Sequence, residues 1–291
     1  MNVTDAAPPS SAARRARRRK RRSKGALVAI SFVVGAIYLV PLVWVLSMSV
    51  RSASEILQPG FVPESFNPQN YRDAWQRFEL GKLFKNTALV TAGTVLLGVA
   101  LSVTAAYGFS LAKSRFGEFA FIMLLLGLMV PPAAVIIPFF IGMRELGLYD
   151  SLLAVILAET VFVLPLGVLI LRAYIESIPK DLSDSARIDG ASEWSVFAQI
   201  VFPLILPAAA TVALFMFLSA WNGFLLPLVL LRDPNKTTLT VGLSQFSGQF
   251  GSFEWHLVAA ASAIAVVPVL LVFYLARRYY VQGLAAGALK Q

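Results

Sequence analysis

Six long apolar stretches, separated by polar segments, constrain this chain more than any other feature of its sequence. They run over about 26–50, 83–112, 119–143, 151–172, 200–231 and 257–280. Each is long enough to cross the apolar part of a bilayer as a helix, which takes about 20 residues. With 57% hydrophobic and only 14% charged residues, the composition agrees. The sequence therefore predicts an all-α integral membrane protein with six transmembrane helices.

The distribution of basic residues predicts how these helices are oriented. Counted on alternate sides of the six stretches, 17 of the 25 Lys and Arg residues fall on one side and 8 on the other. Because cytoplasmic segments carry the excess of Lys and Arg, both termini are expected in the cytoplasm. The segment 176–200 then lies in the cytoplasm, and the segments 52–81 and 232–255 face outward.

The most basic segment, RRARRRKRRSK at 14–24, directly precedes the first apolar stretch. That position favours contact with anionic lipid over contact with nucleic acid. We expect residues 1–24 to be a disordered cytoplasmic tail, and residues 25–291 to form one transmembrane domain.

The first apolar stretch is longer than the roughly 7–15 residues of a signal-peptide core. Pro41 and Trp44 also stand where a cleavage site needs small residues, so we expect a retained helix.

Prolines are dense in the predicted spans. Prolines are frequent in membrane helices in general, but they also remove helix hydrogen bonds and permit kinks. Kinked spans can enclose a cavity. The prolines concerned are Pro131, Pro132, Pro138, Pro165, Pro203, Pro207, Pro227 and Pro268.

A polar segment at 181–207, DLSDSARIDGASEWSVFAQIVFPLILP, lies between the fourth and fifth stretches. Asp189-Gly190 interrupts a short helical pattern, because Gly permits unusual φ angles and Asp caps helices readily. The apolar residues recur at helical spacing with carboxylates between them, as on a helix at a protein or lipid surface. We expect two short helices joined by a bend, able to dock into a groove of a partner.

The sequence offers little support for an enzyme. His256 is the sole histidine and has no HExxH neighbourhood, and no Gly-x-Ser-x-Gly motif or P-loop occurs. Cysteine is absent, which excludes thiol nucleophiles and cysteine metal sites. We expect no catalytic residue, no metal site and no cofactor bound by this chain.

Polar side chains inside the apolar stretches are candidates for lining a solute path. Glu159 lies about two turns inside the outer end of the fourth stretch, and ionisable groups within spans are usually functional. Hydrogen bonding to a neighbouring helix is the alternative, and it applies equally to Asn86 and Asn222. Trp221 beside Asn222 suits a sugar, which stacks on rings and needs hydrogen bonds, but helix packing explains the pair equally well.

The segment DSARIDGASEWSVFAQIVFP at 184–203 resembles the cytoplasmic loop motif of binding-protein-dependent ABC importer permeases. That motif reads Glu-Ala-Ala, three residues, Gly, nine residues, then Ile-x-Leu-Pro. Gly190 and Pro203 stand at the family's spacing. Asp184 and Ser185 replace the usual Glu and Ala, and Phe202 replaces Leu.

Further segments of the sequence resemble those of the sugar-importer permeases, the group that includes the second permease subunit of maltose import. They cover nearly the whole chain after the basic tail. They are Phe61-Val62-Pro63 with Asn70-Tyr71, Ala105-Ala106-Tyr107-Gly108-Phe109-Ser110, Ile137-Pro138, Ile178-Pro179-Lys180-Asp181-Leu182, Trp221-Asn222-Gly223-Phe224 and the segment 283–290.

The resemblance implies a type I importer permease with a cytoplasmic coupling helix, in a bacterial inner membrane. Its partners would be a second permease, two ATPase subunits that hold ATP and Mg²⁺, an extracytoplasmic solute-binding protein and a sugar. The residues implied to contact the ATPase are Asp184, Ser185, Ala186, Asp189, Gly190, Ala191 and Pro203. The last outer loop would contact the binding protein through Ser247, Gly248, Gln249, Phe250 and Gly251. An ABC permease for an amino acid, peptide or polyamine stays open, as does an autonomous secondary transporter.

Overall fold

The computed structural model describes residues 11–56, 58, 60–112, 114–249 and 254–288, with the backbone alone at 11–26, 247–249 and 278–288. Over these residues the chain is helical, and no strand occurs. The α-helices are α1 Ser11–Ser49, α2 Gln69–Arg77, α3 Leu80–Leu111, α4 Arg115–Leu126, α5 Pro132–Glu145, α6 Leu152–Ile175, α7 Lys180–Ile188, α8 Glu193–Val196, α9 Phe202–Trp221, α10 Leu225–Leu230, α11 Leu239–Gln249 and α12 Trp255–Ala288. Short 3₁₀ turns at Gly127–Met129 and Pro234–Lys236 and a π turn at Phe197–Val201 complete the path.

Five segments are long and apolar enough to cross a membrane, and a sixth is bent. The five are Leu27–Ser49, Leu80–Leu111, Leu152–Ile175, Glu193–Trp221 and Trp255–Arg277. The sixth consists of Arg115–Met129 and Pro132–Glu145, which meet at 106°. The predicted all-α, six-span membrane fold is thus confirmed, with one span broken.

The bend in the third predicted span, 119–143, lies at Pro131 and Pro132, two of the prolines expected to permit kinks. Pro131 has extended backbone angles, φ −69° and ψ 136°, and stands directly before the first residue of α5. A residue that precedes proline is driven out of the helical region, and Pro132 itself cannot donate the next helix hydrogen bond. By contrast, the helices continue through Pro138, Pro165, Pro207 and Pro268.

The fifth span also differs from the sequence expectation of 200–231. It begins at Glu193 and ends at Trp221, where Asn222 and Gly223 form a turn before the short α10. The π turn precedes Pro203, whose missing N–H removes an ordinary helix bond at that point. The polar segment is therefore continuous with the fifth membrane helix.

The expected disordered tail at 1–24 can be compared with the structure only in part. The expectation of disorder over 1–24 differs from the structure for 11–24, because α1 begins at Ser11. Alanine and arginine are strong helix formers, and the apolar span continues the same helix. Residues 1–10 lie outside the described residues.

The core lies where α3, α6 and α9 pack side by side, with α4 and the π turn at one end and α2, α11 and α12 at the other. Small residues let α3 and α6 approach closely: a Cβ at Gly93 would lie 2.6 Å from Ile156 Cδ1. The apolar cluster nearest the polar segment contains Val103, Ala106, Phe121, Val168, Leu171, Ile175, Val196, Val201, Ile205 and Val212. This packing holds the start of α9 against the ends of α3 and α6.

Candidate functional site

The bend predicted at Gly190 is present, and its hydrogen bonds define it. Helix α7 ends at Ile188, and Gly190 has φ +86°. The Ala191 N–H donates to the Ala186 carbonyl at 3.0 Å, and the Gly190 N–H donates to the Arg187 carbonyl at 3.1 Å. This pair of bonds is the Schellman ending of a helix, which places a left-handed residue, usually glycine, one position past the cap.

Gly190 is needed for its backbone angle rather than for space. A Cβ at this position would meet no heavy atom within 4 Å. Left-handed φ is nevertheless costly for residues that carry a Cβ. After the bend, the Ser192 hydroxyl accepts a bond from the Ser195 N–H at 3.2 Å and so begins α8. We call residues 189–192 the elbow.

Arg187 connects the two sides of the elbow. Its Nη1 donates to Asp184 Oδ1 at 2.8 Å, within α7. Its Nε and Nη2 donate to the two carboxylate oxygens of Glu193 at 2.7 and 3.2 Å, across the elbow. The hydrogen bonds from Arg187 to Glu193, and then to Asp184, raise the pKa of the guanidinium above its ordinary value. Arg187 is therefore a fixed cation that orients α7 relative to α8.

Tyr107, near the end of α3, reaches the same carboxylate. Its hydroxyl donates to Glu193 Oε2 at 3.1 Å. Its ring lies 4.9 Å from the ring of Phe197, in the π turn. Sequence reasoning missed Arg187, Glu193 and Tyr107 as a group, although Glu193 was visible as part of an acidic cluster and Tyr107 as part of a family motif.

The seven predicted ATPase-contact residues divide into two sets. Asp184, Ser185, Asp189, Gly190 and Pro203 are exposed. Ala186 and Ala191 are half-buried and pack against the core, where they hold the elbow in place. The exposed set lies on α7, in the elbow and at the start of α9.

The apolar residues at helical spacing in this segment divide between the core and the exposed surface. Ala186 and Phe197 pack inward, but Leu182 and Trp194 are 48% and 73% exposed. Ile188, which the periodicity did not single out, is 86% exposed. Ile188 is thus a large apolar side chain that the end of α7 leaves exposed, outside the membrane spans.

Two of the predicted solute-path residues are engaged inside the chain. Asn86 is 6% exposed, and its amide donates to the Asn235 and Thr237 carbonyls at 2.8 and 3.0 Å. Trp221 is 7% exposed, stacks on Phe217 and donates to the Ala265 carbonyl at 3.4 Å. Their contacts are those of helix packing, the alternative that the sequence left open.

Glu159 and Asn222 lie on either side of the turn that ends α9. Glu159 is 5% exposed, and its Oε2 accepts a hydrogen bond from the Ser219 hydroxyl at 3.3 Å. Its Oε1 lies against Gly223, where a Cβ would approach it to 2.5 Å. Asn222 is exposed and donates to the Leu218 carbonyl at 2.8 Å. Both polar side chains thus lie near one turn: Glu159 is buried beside it, and Asn222 is exposed.

The predicted binding-protein loop is only partly described. Ser247, Gly248 and Gln249 form the last residues of α11, where the sequence had indicated a glycine-rich loop. Phe250 and Gly251 lie outside the described residues. Among the residues that the structure does describe, no group of three or more His, Cys, Asp or Glu side chains could hold a metal ion.

Comparison with known proteins adds to this geometry. The family described as binding-protein-dependent transport system inner membrane component matches residues 98–286. The diacetylchitobiose uptake system permease protein NgcG of Streptomyces coelicolor is 33% identical over 87% of this chain and 85% of its own length. The melibiose/raffinose/stachyose import permease protein MelC of Bacillus subtilis is 29% identical over 92% of this chain and 97% of its own length.

A solved structure shares the fold. One chain of a bacterial ABC transporter involved in the import of the acidic polysaccharide alginate is similar with a TM-score of 0.77 and 26% identity. The similarity covers 94% of this chain and 99% of that one. The family match spans the end of α3, the bent span, α6, the elbow and α9, so this chain belongs to the family of binding-protein-dependent transport system inner membrane components.

Proposed function

We propose that this chain is one of two permease subunits of an ATP-driven importer for a sugar or oligosaccharide. The carrying observation is the elbow: an α7 with an exposed apolar and acidic surface, tied by Gly190 and Arg187 to the start of the fifth membrane helix. Membership in the family of binding-protein-dependent transport system components supports a role for the elbow in transport. The relatives named for diacetylchitobiose and for melibiose, raffinose and stachyose favour an oligosaccharide as the solute.

In this proposal the chain itself performs no bond chemistry. ATP and Mg²⁺ are held by separate ATPase subunits, and the exposed surface of α7 docks against one of them. Ile188 supplies apolar contact, and Asp184 and Asp189 supply charge. Because α8, the π turn and α9 continue directly from the elbow, displacement of α7 is passed to the fifth span.

The solute path in this proposal runs past the turn at the outer end of α9. Asn222 is the exposed amide there, and Glu159 supports the turn from α6. Asn86 and Trp221 hold the surrounding helices together rather than touch the solute. The extracytoplasmic binding protein docks on the outer segments, including the end of α11, and both termini of the permease lie in the cytoplasm.

Purification in mild detergent tests the assembly. We expect a second permease and an ATPase to co-purify with the wild-type chain, and the ATPase to be lost when Ile188 is replaced by Asp. Leu146→Asp, in the connection after α5, is the control, because Leu146 is 69% exposed, against 86% for Ile188, and lies away from the elbow. Retention of the ATPase by the Ile188→Asp variant would contradict docking at α7.

Reconstitution tests the transport. The complete importer with its binding protein should take up radiolabelled raffinose or diacetylchitobiose only with ATP, and should not take up glutamine or spermidine. Uptake of glutamine or spermidine instead would assign the permease to another solute class. Uptake by this polypeptide alone, without an ATPase, would favour a secondary transporter.

A further inference from the structure

Three side chains from three helices meet beside the elbow. Arg187 of α7 binds both carboxylate oxygens of Glu193, the first residue of α8, and the Tyr107 hydroxyl of α3 binds one of them. We call this the Arg187–Glu193–Tyr107 link. It is a continuous chain of polar contacts from the docking helix α7 to the long membrane helix α3.

The link passes beside a cavity of about 320 Å³ between α7 and the ends of α3 and α6. Tyr107 and Arg187 both line this cavity, together with Ile178, Lys180 and Asp184. Within α7 and the elbow, the described apolar contacts to the core come from the small side chains of Ala186 and Ala191. Apolar packing therefore holds α7 at its end and through Ile178 just before its start, and the link supplies a further, polar attachment.

The link suits the transfer of motion better than it suits stabilisation. Arg187 and Glu193 have side chains that are 34% and 55% exposed, and ion pairs at that exposure contribute little to stability. A guanidinium that holds both oxygens of one carboxylate nevertheless fixes direction as well as distance. Tyr107 also contacts Phe197 of the π turn. Helix α3 therefore contacts both α8, through Glu193, and the π turn.

We propose that Arg187, Glu193 and Tyr107 are positioning residues that pass the displacement of α7 to α3, in addition to its direct path through the backbone to α9. This inference rests on the proposed docking of α7 on an ATPase. It predicts that α3 moves with α7 during the ATP cycle, and that loss of one hydroxyl at Tyr107 separates the two movements.

Two cysteine reporters test the proposal, since the natural chain has no cysteine. Leu182→Cys reports on α7, and Lys85→Cys reports on α3 near its other end; both positions are exposed. In the assembled importer with its binding protein, the labelling rate with a maleimide is compared with and without MgATP and vanadate. In the otherwise wild-type chain, we expect both rates to change at least threefold.

The Tyr107→Phe variant should keep the response at position 182 and lose most of the response at position 85. Tyr174→Phe is the matched control: Tyr174 packs against the same cluster, and its hydroxyl has no hydrogen-bond partner in the described part of the chain. A full response at position 85 in Tyr107→Phe would overturn the link. No nucleotide response at position 182 in the wild-type chain would instead refute the docking of α7, and the link with it.

Charge exchange separates a positioning role from a merely structural one. Glu193→Arg and Arg187→Glu should each abolish the response at position 85, and the double variant should recover at least half of it. The thermal stability of the complex should differ little among the three, because the pair is exposed. A double variant that assembles and responds at position 182 but not at position 85 would contradict the proposal.

Discussion

The carboxylate of Asp150 accepts a hydrogen bond from the backbone N–H of Asp233 at 3.0 Å, across 83 residues of sequence. The same oxygen, Oδ1, accepts the Arg232 N–H at 2.9 Å, and Lys236 Nζ lies 3.2 Å from Oδ2. Asp150 has φ +57°, which turns the chain into α6. One carboxylate thus connects the start of α6, the helix that contains Glu159, to the end of α10, which follows the turn at Gly223.

Asp150→Asn should destabilise the protein at neutral pH and less so in acid. Hydrogen bonds from the Asp233 and Arg232 amides lower the pKa of Asp150 below its ordinary value. A lowered folded-state pKa gives stability that is present above the unfolded pKa of about 3.9 and is lost as pH falls through the folded pKa. We expect a loss of about 1 kcal/mol at pH 7 and a smaller difference at pH 3.5.

Asparagine is the informative replacement, since it tolerates a left-handed backbone nearly as well as aspartate. Thermal unfolding in detergent at pH 7, 5 and 3.5 measures the difference, with Glu145→Gln, an exposed carboxylate at the end of α5, as the control. A loss that stays the same at all three pH values would show that the charge of Asp150 is irrelevant.

Gly190→Ala should weaken the coupling of ATP hydrolysis to solute import, because the backbone angle at this position disfavours a residue with a Cβ. A residue with a Cβ at φ +86° costs about 1–2 kcal/mol, and the helix end at Ile188 should fray. We expect fewer solute molecules imported per ATP, by at least twofold, with a smaller loss for Gly190→Asn, because asparagine is the next best residue at this position.

Gly142→Ala controls for the added methyl group alone, since it also meets no atom within 4 Å but has an ordinary helical backbone. Uptake of radiolabelled raffinose or diacetylchitobiose and phosphate release, measured on the same proteoliposomes, provide the ratio. Equal ratios for Gly190→Ala, Gly190→Asn and the wild-type chain would remove the backbone argument.

Gly93→Ala should loosen the packing of α3 on α6. The new Cβ would lie 2.6, 3.0 and 3.2 Å from three carbons of Ile156, a β-branched side chain with little freedom to turn away. Overpacking of this kind costs about 1–3 kcal/mol. Gly108→Ala, on the same helix with no atom within 4 Å, should cost far less. Thermal unfolding of the single variants checks this. In the double variant that combines Gly93→Ala with Ile156→Ala, the smaller partner should recover part of the loss.

Gly223→Ala should disturb Glu159 directly. A Cβ would lie 2.5 Å from Glu159 Oε1 and 3.2 Å from the Ala220 carbonyl, so the carboxylate must move. If the turn borders the solute path, KM for uptake should rise about threefold to tenfold, an energy of roughly 1 kcal/mol. Glu159→Ala in the same chain should relieve the contact, giving a non-additive double variant. A KM unchanged in all three would place this turn away from the solute.

Single cysteines should establish the orientation. Ser54→Cys, on the connection between α1 and α2, is expected to react with a membrane-impermeant maleimide in intact spheroplasts. Ser177→Cys, between α6 and α7, is expected to react at least tenfold more slowly until the membrane is permeabilised. Both serines are exposed, so access to the reagent decides the outcome. The reverse pattern would place the elbow outside the cell.

Much of the architecture could be predicted because lipid restricts the choices. An apolar stretch of sufficient length in a bilayer must satisfy its own backbone, so length and composition were enough to predict helices. The bend at Gly190 was equally accessible, because its cause is local: a glycine permits the angle that ends α7. The break at Pro131 and Pro132 also has a local cause, since both prolines were expected to permit a kink, but the sequence did not indicate that the two parts would meet at 106°.

Side-chain roles were less accessible, since they depend on residues far away in sequence. The sequence does not show which partners Asn86 and Trp221 have. Only the structure shows that Asn86 donates to the Asn235 and Thr237 carbonyls and that Trp221 stacks on Phe217. Arg51 is counted as one more basic residue in sequence, yet it is 2% exposed and donates to the Gln58 and Gly60 carbonyls.

The sequence by itself determined that this chain lies in a membrane as a set of helices, and that a polar bend interrupts them, because both follow from apolar length and from the backbone freedom of one glycine. Only the tertiary structure decided that Arg187, Glu193 and Tyr107 meet, that Glu159 faces Gly223, and that Ile188 is exposed. Each of these depends on how α3, α6 and α9 pack, and packing brings together Tyr107 and Glu193, which are 86 residues apart in the sequence.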